Sequence, residues 1–179
     1  QPAAAAPASD WPNSAADALE LLVDAHLLES PAPDSYRLHD LLRVYAAERC
    51  QAEEPVRDRQ DAVRRVLTWY LHTVDAAARI ISPHHARVPV GKLEPRIRPL
   101  TFASLEEALD WAETESANIV AVTRQAAATG QHDVAWRLPA AAMSFCYRRG
   151  HWADWITTHE IGLDSARELA DRAAEALSL

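Results

Sequence analysis

Apolar residues recur at helical spacing along most of this chain, and only one short region has the pattern of strands. The pattern predicts helices over residues 14–26, 40–54, 55–81, 104–129, 133–149 and 152–170, with another beginning near residue 171. The most regular apolar stripe lies in the helix over 55–81 and contains Val63, Val66, Leu67, Tyr70, Leu71, Val74, Ala77, Ala78 and Ile81. We therefore expect a mostly α protein, built as an array of helical hairpins.

Capping residues and a glycine mark where several of these helices begin and end. Asp40 is placed to cap the second helix. Ser104 and Glu107 form a capping-box pattern at the start of the fourth helix, and Gly130 ends it. A kink is expected inside that helix, near residues 115–117.

The last third of the chain has the pattern of a repeat. Only Gly150 and His151 separate two helical stretches, which is the spacing of an antiparallel helical hairpin. The final helix reaches Leu179 without a capping signal, which suggests that a longer array follows.

Three segments do not follow the helical period. Residues 1–12 contain three prolines and are predicted to be a flexible lead. Residues 27–39 place two short apolar runs around a Pro-Ala-Pro-Asp-Ser turn, which predicts a small two-stranded β-hairpin. Residues 82–100 contain four prolines and a glycine and predict a long connector.

Composition narrows the class of protein. The 179 residues are 49% hydrophobic, which is normal for a soluble globular protein, and no window resembles a membrane span or a signal peptide. A cytoplasmic protein with no membrane partner is therefore expected. The two cysteines, Cys50 and Cys146, lack a CxxC spacing and are predicted to be buried thiols.

Charge is distributed unevenly along the chain. Residues 1–54 carry a net charge of about −7, residues 55–100 about +5 and residues 101–179 about −6. The acidic first segment would repel nucleic-acid phosphates. The basic middle segment leaves direct nucleic-acid binding through its arginines as an alternative. The favoured interpretation is a solvated helix face on which these arginines pair with aspartates.

Two parts of the chain resemble a known family. The segment ELLVDAHLLESPAPDSYRLHDLLRVYAAER resembles the end of the winged-helix domain that follows the nucleotide-binding core in NB-ARC proteins of the STAND ATPase class. The segments LEEALDWAETESANIVAV and HDVAWRLPAAAMSFCYRRGHWADWITTHEIGLDSARELADRAAEAL resemble the helical linker and first tetratricopeptide-type repeat of the AfsR/SARP class of transcriptional activators. The resemblance implies three parts after the lead: the end of a winged helix (13–54), a long helix with a proline-rich connector (55–100), and a helical linker with the start of the repeats (101–179).

The resemblance also implies one nucleotide-sensing residue. In that family a histidine of the winged helix senses the β-phosphate of bound ADP, and the matching residues here are Leu38, His39 and Asp40. An imidazole can donate to a phosphate oxygen, and a helix beginning at Asp40 would place its positive end nearby. Since the sequence contains no P-loop motif, ATP or ADP would be bound by the parent protein. This chain is expected to hold no cofactor and to be no enzyme.

Other residues suggest chemistry less strongly. His84 and His85 are the densest histidine pair, but no HExxH or CxxC motif supports a metal site. An unrecognised metal-dependent enzyme is therefore the least favoured alternative. Trp152 and Trp155 are candidates for an interaction surface, although tryptophans at helical spacing more often pack inside a helical array.

The sequence thus predicts a regulatory, protein-interaction segment of a bacterial activator of secondary-metabolite genes. Its implied partners are the upstream nucleotide-binding domain of the same protein and a protein or small-molecule effector, while DNA would be contacted only by an upstream domain. The connector would let the helical array move relative to the winged helix. The first half of the winged-helix domain, which would cover the helix over residues 14–26, is not in the sequence. That helix is expected to pack elsewhere, to bind a second copy of the chain or to be mobile, so a homo-oligomer is left open.

Overall fold

A computed structural model describes residues 15–32 and 35–179. Helices dominate this part of the chain, and two short strands pair as an antiparallel hairpin, which confirms the predicted mostly α fold. No helix in the described ranges is long and apolar enough to cross a membrane. The elements are α1 (Ala15–Asp24), β1 (Leu28–Ala32), β2 (Ser35–Leu38), α2 (Asp40–Glu53), α3 (Val56–Ile81), α4 (Leu105–Thr114), α5 (Ser116–Ala128), α6 (His132–Arg149), α7 (Trp152–Glu168) and α8 (Arg172–Ser178).

The chain divides into two compact units, Gln1–Arg59 and Gln60–Leu179, and the boundary falls inside helix α3. The first unit contains α1, the hairpin and α2. In the hairpin, Leu28 lies opposite Leu38, and the Leu28 side chain is buried. Helix α2 buries none of its side chains, so its apolar residues, with Leu41 85% exposed, face solvent.

Helix α2 begins differently from the prediction. His39 occupies its N-cap position and makes no side-chain capping hydrogen bond, whereas Asp40 is the first helical residue. The Asp40 carboxylate therefore interacts with the positive end of the helix from within the first turn, and it lies 3.0 Å from Nη2 of Arg43. Ser14, the predicted start of the first helix, lies outside the described residues.

Helix α3 supplies one wall of the core of the second unit. Its buried residues recur at helical spacing and are Leu67, Leu71, Thr73, Val74, Asp75, Ala77, Ala78 and Ile81. They contribute to three clusters that also take residues from α4, α5 and α6. The predicted stripe is wrong only at Val66, which is 52% exposed. Leu67 and Leu71 lie four residues apart on the buried face of the helix, and Val66 is rotated away from that face.

The connector after α3 is not helical, as predicted, but it is not a loose linker. Nε1 of Trp69 donates to the carbonyl of Arg98 at 2.9 Å, and the Leu100 N–H donates to Oγ1 of Thr73 at 3.3 Å. Ile97, next to Arg98, is buried. This end of the connector is therefore fastened to α3 by a buried side chain and two hydrogen bonds.

Two helices of the second unit have side-chain caps. Oγ of Ser104 accepts from the Glu107 N–H at 3.1 Å, and Oε2 of Glu107 accepts from the Ala103 N–H at 2.7 Å, which confirms the predicted capping box. Asp171 caps α8 by accepting two backbone N–H groups through Oδ1, at 3.0 and 3.1 Å. These caps fix where α4 and α8 begin.

The predicted kink is a complete break between α4 and α5. Glu115 leaves the helical conformation there, with φ −94° and ψ 3°. The Tyr70 hydroxyl donates to its carboxylate at 2.8 Å, and the Asn118 amide donates to it at 2.9 Å. Burial, and then Glu115 itself, raise the pKa of Tyr70 above its ordinary value, so the phenol remains a hydrogen-bond donor that ties the break to α3.

Helices α6 and α7 form the predicted antiparallel hairpin. Gly150 connects them with φ 78°, and its N–H donates to the Cys146 carbonyl at 2.9 Å. Farther along α7, a Cβ atom at Gly162 would lie 3.4 Å from Cγ of Pro139 and 3.4 Å from Cα of Trp136. The backbone of α7 at Gly162 therefore lies against Pro139 and the Trp136 backbone of α6. The absence of a side chain at Gly162 allows this close approach.

The two cysteines have different environments. Cys146 is buried as predicted, whereas Cys50 is exposed, because it lies on α2, whose side chains are not covered. Burial, with a smaller effect of Asp154, raises the pKa of the Cys146 thiol to about 11. Neither cysteine is in a disulfide.

His159 is a half-buried histidine held in one tautomer. Its Nε2 accepts from Nε1 of Trp155 at 3.2 Å, and its Nδ1 lies 3.1 Å from the Trp155 carbonyl oxygen. Both bonds form together only when Nδ1 carries the proton and the ring is neutral. Burial lowers the pKa of His159, and this outweighs the opposing effect of the carbonyl. Burial also lowers the pKa of His72, against the opposing charge of Asp75.

We predict that replacing Gly150 with alanine destabilises the protein. A side chain with Cβ in the left-handed region costs about 1 kcal/mol, and the loss should appear as a lower free energy of unfolding in urea. Gly150→Asn is the matched control, because asparagine tolerates this conformation better. An alanine variant as stable as the unmodified protein would contradict the role assigned to Gly150.

We also predict that the protein loses stability as the pH falls below the ordinary imidazole pKa of about 6.5. In that range the unfolded chain binds protons at His72 and His159 that the native protein, with lowered pKa values, does not bind. His159→Gln should make the free energy of unfolding less dependent on pH between about pH 7.5 and 5.5. His84→Gln, at an exposed connector residue, is the control. An unchanged pH dependence in His159→Gln would exclude a contribution from this residue.

Candidate functional site

The predicted nucleotide-sensing residue lies where the hairpin joins helix α2. His39 follows β2 directly and its side chain is 61% exposed. Its Nε2 is 3.0 Å from Oε1 of Glu29 on β1. The imidazole of His39 is therefore accessible from solvent. In this structure it contacts the Glu29 carboxylate of the same chain.

The surroundings of His39 carry charges of both signs. The Asp40 carboxylate, 89% exposed, lies in the first turn of α2, where it would repel a phosphate, and Arg43 offsets that charge only in part. His39 itself presents one imidazole nitrogen, Nε2, beside the Glu29 carboxylate.

The two histidines considered for a metal site, His84 and His85, have no further metal-ligating side chains grouped with them among the described residues. His84 and His85 lie in the connector and are exposed. Over residues 15–32 and 35–179, no group of three or more histidine, cysteine, aspartate or glutamate side chains is placed to hold a metal ion.

The two candidate tryptophans lie together at the turn between α6 and α7. The rings of Trp152 and Trp155 are stacked with centroids 5.6 Å apart, and Tyr147 meets both edge-on at 5.9 and 6.4 Å. Trp152 is 51% exposed and Tyr147 67% exposed, while Trp155 is half-buried and also packs against the core. Tyr147 was not among the predicted residues. Its position three residues before Gly150, across the turn from Trp152, could have indicated it.

An ion pair and a hydrogen bond fasten this turn to helix α4. Nη2 of Arg149 lies 3.3 Å from Oδ1 of Asp110, and Nε2 of His151 lies 3.1 Å from Oε1 of Glu113. The His151 ring also stacks on Phe145, with centroids 4.9 Å apart. These contacts, which the sequence did not indicate, fix the direction in which the tryptophans project.

Two clefts of the second unit meet at Met143 and Trp155. The first, of about 460 Å³, is lined further by Ser82, His85, Ser144, Tyr147 and Arg148. The second, of about 450 Å³, is lined further by Ile156, His159, Glu160, Leu163, Leu177 and the end of α8. We call them the aromatic cleft and the aliphatic cleft. Both clefts are concave and largely apolar, as binding sites for ligands often are.

Comparison with known proteins identifies relatives of the whole chain. No family profile matches it, and no solved structure matches it. It is 39% identical over 181 residues to Regulatory protein AfsR of Streptomyces coelicolor, in an alignment that covers 97% of this chain and 18% of the relative. It is 45% identical over 122 residues to Regulatory protein AfsR of Streptomyces griseus, covering 66% of this chain and 12% of the relative.

The chain therefore spans less than a fifth of the length of these relatives. Their similarity to it covers both units, since the longer alignment extends over nearly all of its residues. These similarities support a regulatory protein of the AfsR type, of which this chain resembles one part.

Proposed function

We propose that this chain is a regulatory, protein-interaction segment of a cytoplasmic transcriptional activator of the AfsR/SARP class. In this proposal it has no catalytic activity, and it biases an upstream ATPase of the NB-ARC type between a resting and an active state. The observation that carries the proposal is the 39% identity to an AfsR regulatory protein over 97% of the chain. An effector and the control of secondary-metabolite genes belong to the proposal for the parent protein.

The contact between His39 and Glu29 supports a switch with two competing partners. Both side chains are at least half exposed, and an exposed polar contact of this kind contributes roughly 1 kcal/mol or less. A phosphate oxygen of ADP, held by the upstream domain, would accept the same imidazole N–H. The terminal phosphate, with its larger negative charge, would compete with the Glu29 carboxylate for this donor.

Helix α3 is the proposed route between sensing and interaction. It begins at Val56 in the first unit and continues without interruption to Ile81 in the second. The chain therefore passes from the first unit to the second within this helix.

Direct nucleic-acid binding is the weaker candidate. Arg64 forms ion pairs with Asp61 and Glu94, and Arg79 forms one with Asp75. These guanidinium groups already have carboxylate partners, so α3 offers fewer free cations for phosphates than its sequence suggests.

We predict that this chain binds the isolated nucleotide-binding domain of its parent more tightly when ADP is present. His39→Ala should remove that gain, a loss of about tenfold in affinity for one hydrogen bond to a charged group. Glu29→Gln should increase the gain, because it frees the imidazole. Isothermal titration with and without ADP measures both effects.

His84→Ala is the matched control, since it removes an exposed histidine of the second unit. An ADP effect that survives in His39→Ala would contradict the sensing role. Absence of binding under every nucleotide condition would contradict the proposed contact with the upstream domain.

A further inference from the structure

The aromatic cleft is a concave site inside the second unit. Its volume is about 460 Å³, and the residues that line it lie between Ser82 and Trp155 in the chain. Among the described residues, those of α8 do not line it. Pockets of roughly 300–1,000 Å³ hold drug-sized ligands. The aromatic cleft therefore has the size of a small-molecule site.

Polar side chains meet at one edge of this cleft. Ser82, His85 and Ser144 line the cleft and also line a small depression of about 20 Å³, so they lie at the boundary between the two. The turn that ends α3 holds the first two of these residues. The Ser82 N–H donates to the Ala78 carbonyl at 2.9 Å, and the His85 N–H donates to the Ser82 carbonyl at 3.2 Å. This edge thus combines two hydroxyl groups and an imidazole.

The hydroxyl group of Ser144 has no partner within the described part of the chain. Its Oγ is buried and makes no hydrogen bond with any described residue. Buried polar atoms in folded proteins nearly always have a hydrogen-bond partner in the protein, in water or in a ligand. Because Ser144 belongs to the wall of the aromatic cleft, a polar group held at this edge would satisfy the hydroxyl.

The rest of the cleft wall is largely aromatic. Met143, Tyr147 and Trp155 line the cleft without lining the depression. The Trp155 ring is held by its stack on Trp152, and its Nε1 donates to Nε2 of His159 at 3.2 Å. Tyr147 meets the same ring edge-on at 6.4 Å. Tyrosine and tryptophan side chains have only two side-chain torsions, so they bind another surface at a low cost in conformational entropy.

The division of the wall into two parts decides the class of ligand. Aromatic rings that pack on one another contribute more than their buried area alone, which favours a flat ring over a saturated one of equal size. The polar edge favours a ligand with one hydrogen-bonding group at its rim. Arg148 completes the lining. Since Arg148 is exposed, its charged group can remain in water while its stem borders the cleft.

We propose that the aromatic cleft binds a small molecule that has a flat aromatic ring system and a polar group at one edge. The rings would pack against Tyr147, Trp155 and Met143. The polar group would bind Ser144 and the turn at the end of α3. The inference rests on the proposed function, because it gives the effector of the regulatory segment a chemical class and a place.

The test uses the whole chain and three probes, which are 2-naphthol, decahydro-2-naphthol and N-acetyltryptophanamide. Decahydro-2-naphthol keeps the carbon skeleton and the hydroxyl group of 2-naphthol but has no flat ring. NMR titrations follow the indole N–H signal of Trp155, which is assigned as the signal lost in Trp155→Phe. We expect 2-naphthol to shift this signal and to bind about fivefold more tightly than its saturated counterpart, as aromatic packing predicts.

Two variants assign the binding to the cleft. Tyr147→Ala should weaken the binding of 2-naphthol about fivefold, and it spares the core because Tyr147 is 67% exposed. Ser144→Ala should weaken it about threefold, the effect of one hydrogen bond between uncharged groups. Tyr45→Ala is the matched control, since it removes a tyrosine of α2 that is 60% exposed, and it should change nothing. Circular dichroism verifies that each variant is folded.

Three results would overturn the proposal: equal affinities for 2-naphthol and its saturated counterpart, a Trp155 signal that does not shift, or an unchanged affinity in either variant. Tighter binding of N-acetyltryptophanamide than of 2-naphthol would overturn it in favour of an aromatic side chain of a protein partner. If the probes fail while ADP-dependent binding to the nucleotide-binding domain persists, the proposed function stands and the assignment of the cleft alone is lost.

Discussion

The second unit depends on the burial of helix α6 from several sides at once. This one helix contributes to all four hydrophobic clusters, through residues that include Ala135, Trp136, Leu138 and Phe145. Helices α3, α4, α5, α7 and α8 all pack against it. Its apolar residues accordingly do not form a single stripe, which is typical of a helix enclosed by its neighbours.

The elements predicted well from the sequence are those with one buried side or a local end signal. Helix α3 has one buried side, so its stripe is regular and its bounds were recognised, with the exception of Val66. Ser104, Gly130 and Gly150 act through local backbone geometry, and they mark helix ends wherever the rest of the chain lies. At Glu115 the prediction gave the position but not the extent, since the expected kink is a break.

The contacts that were missed join residues far apart in the chain. The bond from Trp69 to the Arg98 carbonyl turns a proline-rich segment into part of the core, and no local pattern encodes it. The pairs of Arg149 and His151 with α4 are of the same kind. The environment of Cys50 was misjudged for a related reason, because an apolar pattern in α2 does not reveal whether a covering element is present.

The close approach at Gly162 limits how a bound partner can be reported to the rest of the molecule. Pro139 and the Trp136 backbone lie at van der Waals distance from the Cβ position of Gly162, so the two helices touch at this level with no Gly162 side chain between them. A partner bound to the hairpin is therefore expected to rotate α6 and α7 together and not to widen the seam between them there.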